Sequence, residues 1–260
     1  TTTSRMLSHI MKSNGKIAMK FEDDHADTTL INAKIASPED DVMLVTASGR
    51  AIRFPSEDVR VFNSRSSVGV RGVRLTGNDK VVSMSVIRHF DATPDERSAY
   101  LKMRRAMAGL ADDVDAVDEE ESSANATISQ ARYAEMSAAE NLILTLTSKG
   151  AGKLSSSHDY PVRGRGGMGV QAMDKAMRGG SVVASFPVEL DDQIMLATSK
   201  GQSIRVPVEG ISFRSRSAGG VKVFDTGKGE EVVSVAWIAD QGDEADETSD
   251  ADTSGDNTEA

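Results

Sequence analysis

The chain has 260 residues, a formal net charge of -10 and no cysteine. Without cysteine it can form neither disulfide bonds nor thiol-based sites, which favours a cytoplasmic protein. No apolar run approaches the roughly 18 residues of a transmembrane helix, and no charged, apolar and small-residue leader opens the chain, so neither a membrane span nor a signal peptide is predicted.

A block of about 51 residues occurs three times, with its glycines and basic residues in the same order. The first turns of the copies lie at Gly49, Gly150 and Gly201, and the longer first interval is one period plus an insertion of nearly the same length. Repeats of this length are typical of propellers and related arrays, in which each block forms one small sheet. The sequence therefore predicts an all-β, propeller-like fold.

Each block follows the order apolar strand, tight turn, alternating strand, basic loop, alternating strand, acidic or glycine turn, apolar strand. Residues 14–21 and 29–35 match the last two strands and predict a partial blade in residues 1–40, so the chain is expected to begin within a blade. The first complete blade, residues 41–91, has predicted strands at 42–46, 51–55, 68–75 and 81–87.

An insertion follows in residues 92–139. Thr93-Pro-Asp-Glu96 has the form of a capping box with proline at the first helical position, and apolar residues then recur at helical spacing. This pattern predicts a helix over residues 94–110. Residues 112–127 are acidic and rich in serine and alanine, which predicts a flexible loop, and a second helix is predicted over residues 129–139.

Two further blades and a tail complete the chain. The blade in residues 140–190 is the loosest copy, with predicted strands at 141–147, 170–173 and 181–188. The last blade, residues 191–239, has predicted strands at 194–198, 203–208, 219–224 and 232–238. Residues 240–260 are acidic, with no aromatic residue and no apolar periodicity, and are predicted to be disordered.

The net charge is unevenly distributed. Residues 239–260 hold nine acids and no base, and residues 88–140 hold twelve acids and six bases, so the repeats carry about +5. The bases recur at or just after the first turn of each block, and on its long loop and third strand. Such a row of cations is the pattern expected of a surface that binds nucleic-acid phosphates without reading bases, because counterion release supplies the affinity. The alternative is that exposed strands and loops carry these charges for solubility.

The predicted phosphate contacts are Arg50, Arg53, Arg65, Arg71, Arg74, Lys149, Lys153, Arg163, Arg165, Lys200, Arg205, Arg214, Arg216 and Lys222.

Other chemical patterns are weak. The loop at 163–169 contains a G-x-G-x-x-G spacing, but no βαβ unit accompanies it, which argues against a dinucleotide site. The four histidines share no metal-ligand spacing. The run Ser157-His158-Asp159 has the residue types of a catalytic triad, but chain neighbours point in different directions and cannot form the relay. No catalytic residue and no metal site are predicted.

Three segments of the first copy closely resemble a late blade of the C-terminal domain of bacterial DNA gyrase A: Val42-Met-Leu-Val-Thr-Ala-Ser-Gly-Arg-Ala-Ile-Arg-Phe54, Gly69-Val-Arg-Gly-Val-Arg-Leu75 and Asp79-Lys-Val-Val-Ser83. The resemblance covers roughly residues 12–87 and 141–238. It implies a six-bladed β-pinwheel whose blades exchange strands, of which this chain would hold the last three and part of another. It also implies DNA wrapping around the basic rim in support of ATP-dependent negative supercoiling, and an acidic tail that tempers the wrapping.

The resemblance further implies that the catalytic tyrosine of type II topoisomerases lies in a domain outside this chain, so Tyr100, Tyr133 and Tyr160 receive no catalytic role. The family's Gln-Arg-Arg-Gly-Gly-Lys-Gly box belongs to the first blade. The loop at 163–169, Arg-Gly-Arg-Gly-Gly-Met-Gly, is similar but lacks the Gln, one Arg and the Lys. It is interpreted either as a degenerate blade loop that still touches phosphate or as a plain glycine turn.

The implied partners are double-stranded DNA and, through the N-terminal domain of the parent protein, the gyrase B protein and a second gyrase A protein. No cofactor is expected in this chain, since ATP and Mg would act elsewhere in the parent complex. The insertion is interpreted as a helical hairpin that hangs between two blades with solvated faces, and the alternative is a surface that docks a partner or repels DNA. For the whole chain, the alternatives are the equivalent domain of topoisomerase IV and a propeller that binds proteins independently of salt.

Overall fold

The computed structural model describes residues 18–19, 21, 28–63, 67–109, 126–174 and 179–238. Within these ranges the elements in chain order are β1 (Asp40–Thr46), β2 (Arg50–Pro55), β3 (Val81–Arg88), α1 (Pro94–Met107), α2 (Gln130–Ala139), β4 (Leu142–Thr147), β5 (Ala151–Ser156), β6 (Val170–Gln171), β7 (Val182–Val188), β8 (Gln193–Thr198), β9 (Ser203–Pro207), β10 (Val221–Lys222) and β11 (Val232–Ile238). In this part of the chain no helix has the length and apolar character needed to span a membrane.

The strands form three antiparallel sheets, with the orders β3-β1-β2-β6, β10-β5-β4-β7 and β11-β8-β9. In the first two sheets the outermost strand comes from the following repeat, because β6 belongs to the second copy and β10 to the third. The exchange of strands that the resemblance implied is therefore confirmed. Strand β3 packs along β7, and β7 packs along β11, which places these strands at the inner end of the blades. The exchanged strands lie at the opposite, outer edge.

The hydrophobic core lies between neighbouring sheets. Met43 and Val45 of β1 pack with Ile143 and Tyr160 of the second repeat. One blade further along, Leu144 packs in the same way with residues of the third repeat. Because side chains on a strand alternate between its two faces, the middle sheet can pack one face against the first blade and the other against the third.

The exchanged strand β6 is held by two pairings with β2, Ala51 with Val170 and Arg50 with Gln171. Immediately before it, Gly169 has a positive φ of 70°. A Cβ atom at this position would lie 2.2 Å from the carbonyl oxygen of Ala51. Glycine is required here both for the backbone conformation and for the close approach of the two chain segments.

The prediction of a long third strand in each block is wrong. Only two residues pair in the second and third copies, and residues 67–80 contain no strand. Instead, Val70 and Val73 are spaced three residues apart and pack on the face of the first sheet beside Phe54. The pattern of β-branched residues was correct for burial but not for pairing. The unpredicted strand β5 has only one large apolar residue, Leu154, which explains why periodicity missed it.

The predicted strand at 29–35 is also wrong, because residues 28–37 have no regular secondary structure and are exposed. An extended segment without a neighbouring strand gains no ladder hydrogen bonds. The other strand of the expected partial blade, at 14–21, falls almost entirely outside the described residues. So do most of the predicted flexible loop and the whole acidic tail at 240–260.

Both predicted helices are confirmed. Helix α1 ends at Met107, three residues before the predicted end at residue 110. The capping box is present, because the backbone N–H of Glu96 donates to Thr93 Oγ1 at 3.2 Å and the N–H of Thr93 donates to the Glu96 carboxylate at 2.8 Å. Helix α2 is capped by Ser129, whose hydroxyl oxygen accepts from the N–H of Arg132.

The expectation of a hanging hairpin with solvated faces is wrong. Tyr100 of α1 and Met136 of α2 are completely buried. Both contact His158 of the second blade: the rings of Tyr100 and His158 lie 5.0 Å apart, and the Met136 carbonyl lies 2.8 Å from His158 Nε2. At the other end of α1, the Arg104 guanidinium lies 4.7 Å over the Phe213 ring of the third blade. The helices bridge two blades because their apolar residues find a complementary surface there.

The Gly169→Ala substitution should disrupt the exchanged strand. A left-handed conformation and the overlap with Ala51 should together lower the free energy of unfolding by more than about 2 kcal/mol, as measured by urea denaturation. Gly164→Ala in the same loop is the matched control, because nothing lies within 4 Å of a Cβ there. Its effect should stay within about 0.5 kcal/mol. Equal losses in the two variants would contradict this view of the loop.

Candidate nucleic-acid interface

The predicted phosphate contacts divide by exposure. Arg65 lies outside the described residues. Three side chains are buried: Arg53, Lys153 and Arg216. Arg214 is half-buried, and the exposed members are Arg50, Arg71, Arg74, Lys149, Arg163, Arg165, Lys200, Arg205 and Lys222.

Arg53 lies inside the contact between the first and second blades. Its Nε donates to Asp41 Oδ2 at 2.7 Å, and its Nη1 donates to the Ser157 carbonyl at 2.8 Å. Burial lowers the pKa of Arg53 from its ordinary value, and the adjacent carboxylate acts in the opposite direction. An arginine stays protonated in proteins, so the buried cation is balanced by Asp41 and by backbone carbonyls.

Lys153 is completely buried and its ammonium binds three carbonyl oxygens of the third repeat, those of Ser215, Arg216 and Ala218, at 2.5 to 2.8 Å. Arg216 is 3 % exposed, and its Nε donates to the Asp159 carbonyl at 2.8 Å. These side chains could reach a phosphate only by giving up these bonds. For Arg53, Lys153 and Arg216 the structure therefore corrects the predicted phosphate contact to a role in packing between repeats.

The exposed arginines concentrate at one place, the outer edge of the junction between the first and second blades. We call Arg50, Arg71, Arg74 and Arg163 the arginine patch. All four adjoin the glycine-rich loop at 163–169. Arg50 Nη1 donates to the Gly169 carbonyl at 3.2 Å, the Arg74 N–H donates to the Gly167 carbonyl at 2.8 Å, and the Arg163 N–H donates to the Arg53 carbonyl at 2.8 Å. The Arg71 carbonyl accepts from Arg165 Nη1 at 3.2 Å.

The second junction has the same backbone but a different charge. The bond from Arg74 to Gly167 recurs there as a bond from the Asp174 N–H to the Ala218 carbonyl, so an acid occupies the position of an arginine. The pairs at the exchanged strand keep one cation each but on opposite strands, since Arg50 pairs with Gln171 in the first sheet and Ala151 with Lys222 in the second. The rim is therefore not uniformly basic. Aligning the copies residue by residue could have revealed this from the sequence.

Three exposed lysines have partners on the surface. Lys149 Nζ lies 2.9 Å from Glu231 Oε1, and Lys222 Nζ lies 3.1 Å from Asp225 Oδ1. Lys200 Nζ donates to the Lys228 carbonyl at 2.6 Å. Exposed ion pairs of this kind are weak and exchange partners readily, but each acid lowers the local positive potential. The arginine patch brings more cations to one place and is therefore the stronger candidate for anion binding.

The glycine-rich loop leads into strand β6 and not into a helix. This agrees with the interpretation that its glycine spacing is not a dinucleotide fingerprint, because such a fingerprint requires a helix N-terminus at the pyrophosphate. Within the described ranges, no group of three or more His, Asp or Glu side chains is arranged to hold a metal ion.

The tyrosines and the Ser-His-Asp run occupy packed positions. Burial raises the pKa of Tyr100, and it raises that of Tyr160 to about 12. His158 is 3 % exposed, and its Nε2–H donates to the Met136 carbonyl. Burial is the main cause that lowers the pKa of His158 to about 4. The imidazole is neutral at pH 7 and holds the helical insertion against the blade.

Comparison with known sequences identifies relatives over almost the whole chain. A family model described as "DNA gyrase C-terminal domain, beta-propeller" matches residues 40–88, 141–189 and 192–236, which leaves the helical insertion unmatched. The chain is 41% identical over 268 residues to the DNA gyrase A subunit of Granulibacter bethesdensis, covering 96% of this chain and 28% of that protein. It is 38% identical to the DNA gyrase A subunit of Rickettsia bellii, covering 92% of this chain and 26% of that protein. The chain thus spans about a quarter of the length of these relatives.

Solved structures show a similar fold. A DNA gyrase A C-terminal domain superposes with a TM-score of 0.53 and 21% identity, covering 77% of this chain and 51% of that chain. A C-terminal domain of DNA topoisomerase IV superposes with a TM-score of 0.54 and 19% identity, covering 77% of this chain and 47% of that chain. The fold alone does not separate these two proteins, whereas the sequence relatives and the family model favour the first.

The buried Lys153 should contribute to stability. Lys153→Met removes the ammonium donor from three carbonyls, of which those of Ser215 and Ala218 keep a backbone N–H donor, and should lower the free energy of unfolding by about 2 kcal/mol in urea denaturation. Lys149→Met, at an exposed turn, is the control and should cost less than about 1 kcal/mol. If Lys153→Met left stability unchanged, the assignment of this side chain to packing would be incorrect.

His158 should make stability depend on pH. Its folded-state pKa lies below the unfolded value of about 6.5, so acid favours the unfolded chain, and the contribution is complete above that pH and falls toward pH 4. Between pH 7 and pH 5 the loss should be about 2 kcal/mol. His158→Gln retains a donor to Met136 but does not titrate. Urea denaturation of both proteins at both pH values should show the extra loss in the wild type alone, and parallel behaviour would contradict the assignment.

Proposed function

Because the chain belongs to the DNA gyrase C-terminal domain family, with its beta-propeller fold, we propose that it binds double-stranded DNA and wraps it around the outer edge of its blades. It does so as a non-catalytic part of a gyrase A protein. The observation that carries the proposal is the arginine patch, in which four exposed arginines lie at or beside one loop at that edge.

The patch supports phosphate binding for three reasons. Arginine presents a planar fork of N–H donors that matches a phosphate and remains charged at every physiological pH. The four residues lie at or beside a loop that is largely glycine, so the backbone leaves room for a duplex to approach. Binding would release condensed counterions from the DNA, which makes the affinity steeply dependent on salt.

The arrangement favours phosphate contacts over base reading. The exchanged strands β6 and β10 are two residues long, and a two-stranded ribbon or a helix is needed to fill the major groove. Cations on successive blades would hold phosphates along a curved path, so sequence would matter only through the ease of bending. The weaker charge at the second junction makes the first junction the main anchor along this path.

The remaining parts of the function concern the parent protein. The wrapped duplex would be presented to the cleavage domain of a type II topoisomerase. That enzyme would assemble from the gyrase B protein and two copies of the gyrase A protein, and it would introduce negative supercoils with ATP. ATP and Mg would act in those other parts, and the chain itself would bind DNA without a cofactor. It would act in the cytoplasm, where the bacterial chromosome lies.

Replacing all four residues of the arginine patch by alanine should weaken binding to linear duplex DNA. The slope of log K against log salt should fall by about 0.9 for each phosphate that is no longer bound, as measured by fluorescence anisotropy between about 50 and 200 mM salt. The matched control replaces four exposed lysines outside the patch, Lys34, Lys80, Lys102 and Lys228, and changes the net charge equally.

To test wrapping, the chain is bound to nicked plasmid, the nick is sealed with ligase, and the linking number is read on a gel. EDTA is present during binding, and ATP is absent from the wrapping step. The wild type and the lysine control should shift the linking number, and the shift should disappear with added salt. The patch variant should not produce it. If the two quadruple variants had equal effects, DNA binding would depend on net charge alone and the arginine patch would have no special role. Salt-independent association with a protein would instead favour a propeller that binds proteins.

A further inference from the structure

An arginine recurs five residues before the valine that begins each exchanged strand: Arg165 before Val170 and Arg216 before Val221, with Arg65 at the same distance before Val70 in the first copy. We propose that this arginine is a clamp between neighbouring blades and that it sets the angle at which they meet. The inference rests on the proposed function in one respect, because the blade angle then positions the DNA-binding residues. Arg165 and Arg216 are positioning residues in this assignment.

The first observation is that Arg165 and Arg216 make the same two contacts. Arg165 Nε donates to the Asp58 carbonyl at 2.8 Å, and its Nη1 donates to the Arg71 carbonyl at 3.2 Å. Asp58 ends the short 3-10 helix of the first blade, and Arg71 lies in the segment that packs on its sheet. The guanidinium thus ties the glycine-rich loop of the second repeat to two separate segments of the first.

One blade further along, Arg216 repeats this geometry. Its Nε donates to the Asp159 carbonyl at 2.8 Å, and its Nη1 donates to the Gln171 carbonyl. Asp159 ends the corresponding 3-10 helix of the second blade, and Gln171 lies in the exchanged strand β6. The contacts are thus the same although Arg165 is exposed and Arg216 is buried. Because the same two hydrogen bonds form at an exposed and at a buried arginine, they follow from the geometry of the repeat and not from exposure to solvent.

The second observation is that both acceptors are backbone carbonyls on different segments. The rigid fork of arginine can hold two such oxygens in a fixed direction, whereas the flexible ammonium of lysine is a point charge without that geometry. Backbone bonds from the same loop reinforce the tie, including the Gly166 N–H to the Gly72 carbonyl at 2.7 Å. The clamp therefore fixes the direction of the loop as well as its proximity.

The consequence for DNA follows from where the clamp lies. Arg163, two residues before Arg165, belongs to the second repeat, while Arg50, Arg71 and Arg74 belong to the first. The arginine patch is therefore assembled across the junction that Arg165 holds. A change in the blade angle would alter the separation of these cations, and the curvature of the edge, without removing any of their charge.

The test uses Arg165→Lys, which keeps the charge and removes the fork, and Arg205→Lys, at an exposed arginine of β9, as the matched control. The chain has no cysteine, so Asn78→Cys in the first blade and Asp191→Cys in the last, both exposed, can be spin-labelled selectively. Double electron–electron resonance should show a distance distribution about twofold broader in Arg165→Lys and unchanged in Arg205→Lys. Circular dichroism and a urea transition establish that each variant is folded.

The same variants are then compared with DNA. Arg165→Lys should bind a short linear duplex within about twofold of the wild type, because its charge is retained, but should shift the linking number of plasmid by less than about half as much. A narrow distance distribution in Arg165→Lys would overturn the clamp. A second result would also overturn it: Arg165→Lys wraps DNA normally, and the slope of log K against log salt falls by about 1 in Arg165→Gln. That result would make Arg165 a phosphate ligand. If the wild type itself does not wrap DNA but the broadening is observed, the proposed function fails and the clamp stands.

Discussion

The exchange of an outer strand between successive blades is the constraint on which the rest of the structure depends. Each exchanged strand has only two residues, so its own ladder is too short to hold a blade in place. The junction is completed by backbone bonds that recur in the same places, such as the Val182 N–H to the Ala47 carbonyl at 2.9 Å and the Val232 N–H to the Ser148 carbonyl at 2.8 Å. These bonds and the apolar cores between sheets make the array cooperative, because no sheet can bury its faces alone.

The same constraint explains why the basic residues divide into two groups. A strand or loop that crosses to the neighbouring blade brings carbonyl oxygens into the blade contact, and buried cations donate hydrogen bonds to them. Arg53, Lys153 and Arg216 serve this purpose, so much of the regular spacing of bases in the sequence reflects packing. The cations that remain at the outer edge are fewer and less evenly spread than the sequence suggests. They are concentrated at the first junction, which is therefore more positively charged than the second junction, where Asp174 lies.

The helical insertion is part of the blade architecture. Its buried Tyr100 and Met136 enclose the His158 ring, and Arg104 reaches the Phe213 ring of the third blade. The insertion therefore contacts both blades that follow it in the chain. Since His158 lies in the 3-10 helix that also provides the Asp159 carbonyl for Arg216, the insertion and the second junction share one short segment. A disturbance of the helices would be transmitted to the junction through that segment.

The sequence by itself determined the repeat, the inner strands, the capped helices and the excess of positive charge on the blades, because these depend on local periodicity and composition. It also identified the residues of the arginine patch, although without separating them from buried cations. Only the tertiary structure decided which segments pair with a strand of the neighbouring blade and which pack on the face of a sheet. Residues 68–75 alternate like a strand but cover the face of a sheet, and Lys153 resembles an exposed base but fills a cluster of carbonyls. The reason is physical: pairing and burial between blades are set by partners about 50 residues away, and a local pattern carries no information about which partner will be there.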